Sequence, residues 1–237
     1  MLDVNNGYKP TEVKDIVFGD CKAQSLVAEI VSGAMPFPFA GVNGIILYGP
    51  NGTGKSALAR ILPTAIDSQG SQAADEVDYN FHKITAATDG KELIEQIAYQ
   101  TQFMPFGRFR YFVFDEFDLL NPRYIASIKS IMNTELAVFI MTTNSIGKID
   151  NSIKSRSHMV HMPFADAERW LPAMKAVFHD QQVIAPNDQS LLDLVPACKH
   201  DARKIMNATL RVASIRRAKD LMIPPAANSE HPVQDAA

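Results

Sequence analysis

The run Gly49-Pro50-Asn51-Gly52-Thr53-Gly54-Lys55-Ser56 constrains this chain more than any other feature. It satisfies the spacing G-x-x-x-x-G-K-[ST], directly follows the strand-like GIILY and precedes the helix-like ALARIL. That is the context a phosphate-binding loop demands. At ordinary residue frequencies a chance match in a chain of this length is on the order of one in a hundred, and the required flanks lower that further. The physical reason for the pattern is specific. Glycines let backbone N–H groups converge on phosphate oxygens, and the helix N-terminus adds positive potential. Lys55 then reaches the β- and γ-phosphates and the Ser56 hydroxyl ligates Mg²⁺. Gly49 through Ser56 are therefore candidate nucleotide-binding residues, with ATP and Mg²⁺ as the expected cofactors. Lys55 is expected on a solvent-reachable loop, not in the core.

Around this loop the chain alternates between strand-like and helix-like segments. The clearest strands are Ile45–Tyr48, Asp78–Ala86, Tyr111–Phe114 and Ala137–Thr142. Helical patterns cover Lys22–Val31, Ser56–Leu62, Lys91–Tyr99 and Arg123–Asn133. This order predicts an α/β fold with a mainly parallel sheet. After about Phe164 the strand signal stops. Helical patterns then cover Asp166–Phe178, Asn187–Val195 and Asp201–Leu221, with Asp201 as N-cap and Pro224-Pro225 as the stop. The expected organisation is a nucleotide-binding core over 1–164, a small all-helical domain over 165–222 and a flexible tail over 223–237.

Composition narrows the class. With 46% hydrophobic and 21% charged residues over 237 positions, wholesale disorder and a coiled-coil rod are excluded. The longest clean apolar run, Leu136 to Met141, falls far short of the roughly 20 residues that span a bilayer. The start, MLDVNNGYKP, lacks the basic and apolar regions of a secretory signal. Cys21 and Cys198 are too few for a disulfide framework or a four-thiolate zinc site, so a cytoplasmic setting is expected. The net charge of −3 means that any contact with nucleic acid must come from local patches.

Two further segments carry candidate chemistry. Tyr111-Phe112-Val113-Phe114 ends in Asp115-Glu116, and a buried strand delivers such acids beside a phosphate-binding loop. Asp115 is the candidate Mg²⁺ holder. Glu116 is either a general base that polarises the attacking water or a cap of the following turn. A kinase would need no such adjacent base, because its acceptor is a bound hydroxyl. The strand Ala137–Thr142 ends in Thr143-Asn144. Asn144 is either a turn residue or a hydrogen-bond partner for the attacking water or the γ-phosphate.

GPNGTGKS, FDEFD, TTN and Ser155-Arg156-Ser157 together resemble the AAA+ ATPases, and within them the clamp-loader branch. That branch includes replication factor C small subunits, the bacterial gamma subunit and phage clamp-loader ATPases. The resemblance runs from about Tyr8 to Leu221. Tyr8-Lys9-Pro10 and Asp15-Ile16-Val17 are similar to the family's opening segment, which implies that Ile16 and Val17 line the adenine pocket. Ser155-Arg156-Ser157 fills the place of the family's S-R-C motif, implying that Arg156 is an arginine finger donated into a neighbour's site. Asp201-Ala202-Arg203-Lys204 matches the start of the second-sensor helix, implying that Arg203 contacts the γ-phosphate. A guanidinium so placed can be worth several orders of magnitude in phosphoryl-transfer rate. Arg203 also belongs to a basic run with Lys199, Lys204, Arg211, Arg216, Arg217 and Lys219. That run is either a wet helix face or a contact for a neighbouring subunit or a nucleic-acid backbone.

Departures from the family pattern are few. Ser157 replaces the cysteine and Ser56 replaces a threonine with its hydroxyl kept. The family's β2 strand commonly ends in an Asn that restrains the catalytic Glu, and Thr85 is the nearest match here. No zinc module and no collar domain follow the expected pattern. The resemblance therefore implies an ATP-hydrolysing subunit that assembles with like or homologous AAA+ subunits and remodels a replication partner, a sliding clamp or another replication protein, on DNA. The alternative is a helicase-loader or transposition-type regulator that acts on DNA without a clamp. A monomeric small-molecule kinase is disfavoured, since Arg156 would have no site in trans.

Overall fold

The computed structural model describes residues 9–68, 77, 79–105 and 107–222, and of 220–222 the backbone alone. Tyr8, Asp78 and the tail from 223, with Pro224-Pro225, lie outside the described residues. Five strands form one sheet: β1 (Gly44–Tyr48), β2 (Tyr79–Lys83), β3 (Arg110–Asp115), β4 (Ala137–Thr143) and β5 (Ser157–His161). Their order is β2-β3-β4-β1-β5, and every pair is parallel. All seven residues of β4 are buried, as are four of five in β1 and five of six in β3. These strands are covered on both faces, which is why they read as unbroken apolar runs.

Helices cover the two faces. On one side α1 (Cys21–Ser32) and α2 (Lys55–Asp67) pack on Ile45, Leu47, Tyr111, Val113, Val138 and Ile140. On the other, α3 (Gly90–Gln100) and α4 (Ile125–Ile131) pack on Ile46, Phe112, Phe114, Phe139 and Met141. The alternation of consecutive residues between the two cores follows from the two-residue period of a strand. A short helix α5 (Asn151–Lys154) leads into β5. The chain ends in α6 (Ala167–Asp180), α7 (Asp188–Ala197) and α8 (Ala202–Met222), which share a third core around Trp170, Met174, Phe178, Leu191, Val195, Ile205 and Met206.

The α/β architecture expected from the sequence is the one observed, with differences that have local causes. The strand Ser157–His161 lacks an apolar signature because it is an edge strand whose one fully buried residue is Val160. Helix α2 runs past Leu62 through Pro63 to Asp67, and the burial of Ile66 and Asp67 there offsets the hydrogen bond that proline removes. The helix expected from Arg123 begins instead as a 3₁₀ turn, Pro122–Tyr124, with Asn121 accepting from the Arg123 amide. Asp201 caps α8 as expected: its Oδ1 accepts from the Lys204 amide at 3.1 Å.

One buried polar contact ties the loop before β3 to α2. The Tyr111 hydroxyl donates to Asp67 Oδ1 at 3.1 Å, and the Arg108 amide donates to the same oxygen at 3.2 Å. Burial and the Asp67 carboxylate push the Tyr111 phenol well above its ordinary pKa. The neutral phenol is thus favoured by folding, so its stabilisation is complete below about pH 10 and is lost as pH rises beyond that. Tyr111→Phe is expected to cost about 1–3 kcal/mol at pH 7 and to flatten the alkaline fall in stability. Urea unfolding at pH 7 and pH 10.5 checks both; equal alkaline slopes in the two proteins would contradict it.

Candidate nucleotide site

The phosphate-binding loop leaves the carboxyl end of β1 and enters α2, as its spacing requires. Gly54 caps α2 with no side-chain acceptor, and the first turn carries no acid. Unpaired amides and the positive helix end therefore face the loop. Gly52 has φ +81°, and a Cβ there would lie 2.5 Å from Asp201 Oδ2. The Gly52 carbonyl also accepts the Ala202 amide at 2.7 Å, so the first turn of α8 docks on the tip of the loop. Gly49 is held equally close: a Cβ would lie 2.1 Å from the Met162 carbonyl oxygen.

Lys55 corrects one expectation. It is only 6% exposed, reached from the cavity alone, and its Nζ donates to the Gly49 carbonyl at 2.9 Å and the Pro50 carbonyl at 2.5 Å. The loop folds back over the first turn of α2 and closes on its own lysine. Burial pulls the Lys55 pKa below the ordinary lysine value, against the opposing pull of Asp115 and Asp118.

At the end of β3, Asp115 Oδ1 accepts from the Ser56 hydroxyl at 2.6 Å and from the Thr142 hydroxyl at 2.7 Å. Thr142 Oγ1 in turn accepts the Glu116 amide at 3.0 Å. Glu116 occupies the left-handed region, φ 62° and ψ 44°, which costs a non-glycine residue of order 1 kcal/mol or more. Backbone strain of this kind needs surrounding contacts to hold it, and the Thr142 bond is one. Thr85 does not reach Glu116; its amide donates to Thr88 Oγ1. The cation beside Glu116 is Lys83, at the end of edge strand β2, with Nζ 4.0 Å from Oε1.

These groups line one cavity of about 490 Å³. Asn51 to Ser56, Asp115, Glu116 and Asn144 contribute to it, and so do Ile16, Val17 and Arg203. Gly49 and Pro50 do not line it; their carbonyls accept from Lys55 Nζ. Arg203 is exposed and has no side-chain partner among the described residues. Arg156 stands apart. Its guanidinium donates to the Ser152 carbonyl at 3.0 Å and its own carbonyl accepts the Asn43 and Gly44 amides. It therefore sits at the amino end of β1 and β5, about 13 Å along the sheet from the loop.

The structure adds residues that the sequence reading missed. Thr142, Asp201, Trp170, Met206 and Asn207 also line the cavity. Asp201 was visible as an N-cap, but nothing in its spacing links it to Gly52. Thr142 was visible only as the end of a strand.

The family profile for the "ATPase family associated with various cellular activities (AAA)" matches residues 45–163. The chain belongs to this family and is an ATPase. Solved structures of similar fold include the Thermotoga maritima RuvB Holliday junction branch migration motor, at 14% identity and TM-score 0.66. That match covers 90% of this chain and 67% of RuvB. Another is C. elegans PCH-2, at 12% identity and TM-score 0.59, covering 88% of this chain and 71% of that one. No curated protein sequence matches the chain. AAA ATPases bind nucleotide, and no helix among the described residues is long and apolar enough to cross a membrane.

Lys55→Ala is expected to abolish nucleotide binding. Because the Nζ also satisfies two loop carbonyls, it should in addition lower stability by about 1 kcal/mol. Calorimetric titration with ATP and a thermal melt check the two effects, and ATP affinity near that of the wild type would sink the loop assignment.

Proposed function

We propose that this chain is an AAA+ ATPase subunit of clamp-loader type, which couples ATP hydrolysis in an assembly of like subunits to remodelling of a replication partner on DNA. The observation that carries this reading is the position of Arg156: a guanidinium at the far end of the sheet from the chain's own cavity serves a neighbour's site. Residues 1–164 form the nucleotide-binding core in this reading, and 165–222 a helical lid that brings Arg203 over the phosphates.

The site fits a hard divalent cation such as Mg²⁺. Ser56 Oγ and Asp115 Oδ1 are oxygen donors brought within 2.6 Å of each other. Asp15, Asp115, Glu116 and Asp201 line the cavity against Lys55 and Arg203, so a bound polyphosphate needs a further positive charge. When bound, the cation would neutralise charge on the phosphate oxygens. The chain's own groups do the rest. Loop amides and Lys55 hold the phosphates, Ile16 and Val17 pack on the base, and Asn144 orients the attacking water. Glu116, fixed by its amide on Thr142, accepts the proton of that water.

A second reading rests on the likeness to RuvB, a branch migration motor in its own right. It makes this chain a loader or targeting ATPase that acts on DNA without a sliding clamp. ATPase rates with no DNA, single-stranded DNA and primed DNA, each with and without a cognate clamp, separate the two. Stimulation that requires the clamp supports the first reading, and DNA stimulation indifferent to it the second.

Glu116→Gln keeps shape and hydrogen bonding but removes the base, so ATP should bind while turnover falls roughly 10²–10⁴-fold. Undiminished turnover would make Glu116 structural. Arg156→Ala chains should bind ATP yet hydrolyse it poorly, and mixing them with Lys55→Ala chains should restore part of the activity. Turnover per subunit that is independent of concentration, from a chain that sediments as a monomer with ATP, ADP and no nucleotide, would remove the trans mechanism.

A further inference from the structure

The β3–β4 ladder closes on the pair Phe114–Met141, immediately before the two acids. Beyond it the Asp115 carbonyl accepts the Ile84 amide from the β2 side at 2.9 Å. Toward β4 the contacts pass to side chains. Thr142 is buried and borders the cavity. Its hydroxyl has one proton, and that proton goes to Asp115 Oδ1 at 2.7 Å. The oxygen is thereby left to accept, and the Glu116 amide donates to it at 3.0 Å. Two residues beyond Glu116, Asp118 Oδ1 accepts the Thr143 hydroxyl at 2.8 Å. Consecutive threonines of β4 thus pin the chain on both sides of Glu116, whose φ of 62° lies in the left-handed region.

We propose that Thr142 is a positioning residue for ATP hydrolysis: its hydroxyl fixes the backbone of Glu116, so that the carboxylate stands where it can take the proton of the attacking water. This deepens the reading of Glu116 as the general base and rests on it. A left-handed residue other than glycine persists only where its surroundings hold it. The Glu116 carboxylate is partly exposed, and Lys83 comes no nearer to it than 4.0 Å. Its aim is therefore set at the backbone, through the amide. Threonine suits this task because β-branching restricts χ1 and so keeps the hydroxyl in one direction. Valine matches its shape but offers neither the proton for Asp115 nor the lone pair for Glu116.

The test uses the full chain with ATP and Mg²⁺ at saturation. Thr142→Val should lower kcat roughly 10- to 100-fold, the scale of a slightly misplaced catalytic group, while ATP affinity stays close to that of the wild type. Thr142→Ser returns the hydroxyl and should recover most of the rate. In a Glu116→Gln background the same valine substitution should cost little more, because the group that it misplaces is already gone. Equal kcat in Thr142→Val and the wild type would overturn the proposal. So would a loss that adds in full to that of Glu116→Gln, or one carried by ATP affinity, which marks a direct phosphate contact. A rate restored by more Mg²⁺ would place the effect at Asp115 and overturn it too. If Thr142→Val does not fold, Thr142→Ala carries the same expectations; if neither folds, the hydroxyl is structural and the proposal falls. Full turnover by Glu116→Gln would instead bring down the reading of Glu116 as the base.

Discussion

The Asp115 carboxylate is the contact on which the rest of the site depends. A single oxygen, Oδ1, accepts hydroxyls from Ser56 on α2 and Thr142 on β4. Because β4 lies between β1 and β3 in the sheet, the acid and the phosphate-binding loop are not on adjacent strands. The hydroxyl of Thr142 fills the gap and in the same stroke holds the amide of Glu116. Sheet order, the loop and the strained backbone at Glu116 are thereby one arrangement. A charge-assisted hydrogen bond is among the stronger polar contacts available, and here it fixes three elements relative to one another.

The second constraint is the seat of α8 on the loop. A carbonyl of the phosphate-binding segment, Gly52, accepts the first amide of a helix from the far end of the chain, and the absence of a Cβ makes room for Asp201. The cavity is consequently shared between the α/β sheet and the three-helix core. Its phosphate end belongs chiefly to the sheet, and its apolar end is completed by Trp170 and Met206 from the helices.

Much of this was legible in the residues. The loop from Gly49 to Ser56, the acids Asp115 and Glu116, and the three central strands announce themselves through spacing and unbroken apolar runs. Ile16, Val17, Asn144 and Arg203 line the cavity. The edge strand Ser157–His161 escaped notice because solvent on one side lets His158 and His161 stand where a central strand would need apolar residues. The restraint on Glu116 was sought at Thr85, whereas the nearest side chains are Thr142 through the backbone and Lys83 through charge.

The sequence by itself determined what depends on near neighbours: the loop, the helix cap at Asp201, and the periodicity of strands and helices. These are short-range properties, set by backbone sterics and by which side chains one turn or one strand can bury. Only the tertiary structure decided that Lys55 is buried under its own loop, that Asp201 rests on Gly52, that Arg156 lies at the opposite end of the sheet from the cavity, and that the indole of Trp170 borders it without a partner. Each of these is a contact, or the lack of one, between segments whose meeting is set by strand order and helix docking, and no local pattern of residues encodes which segments will meet.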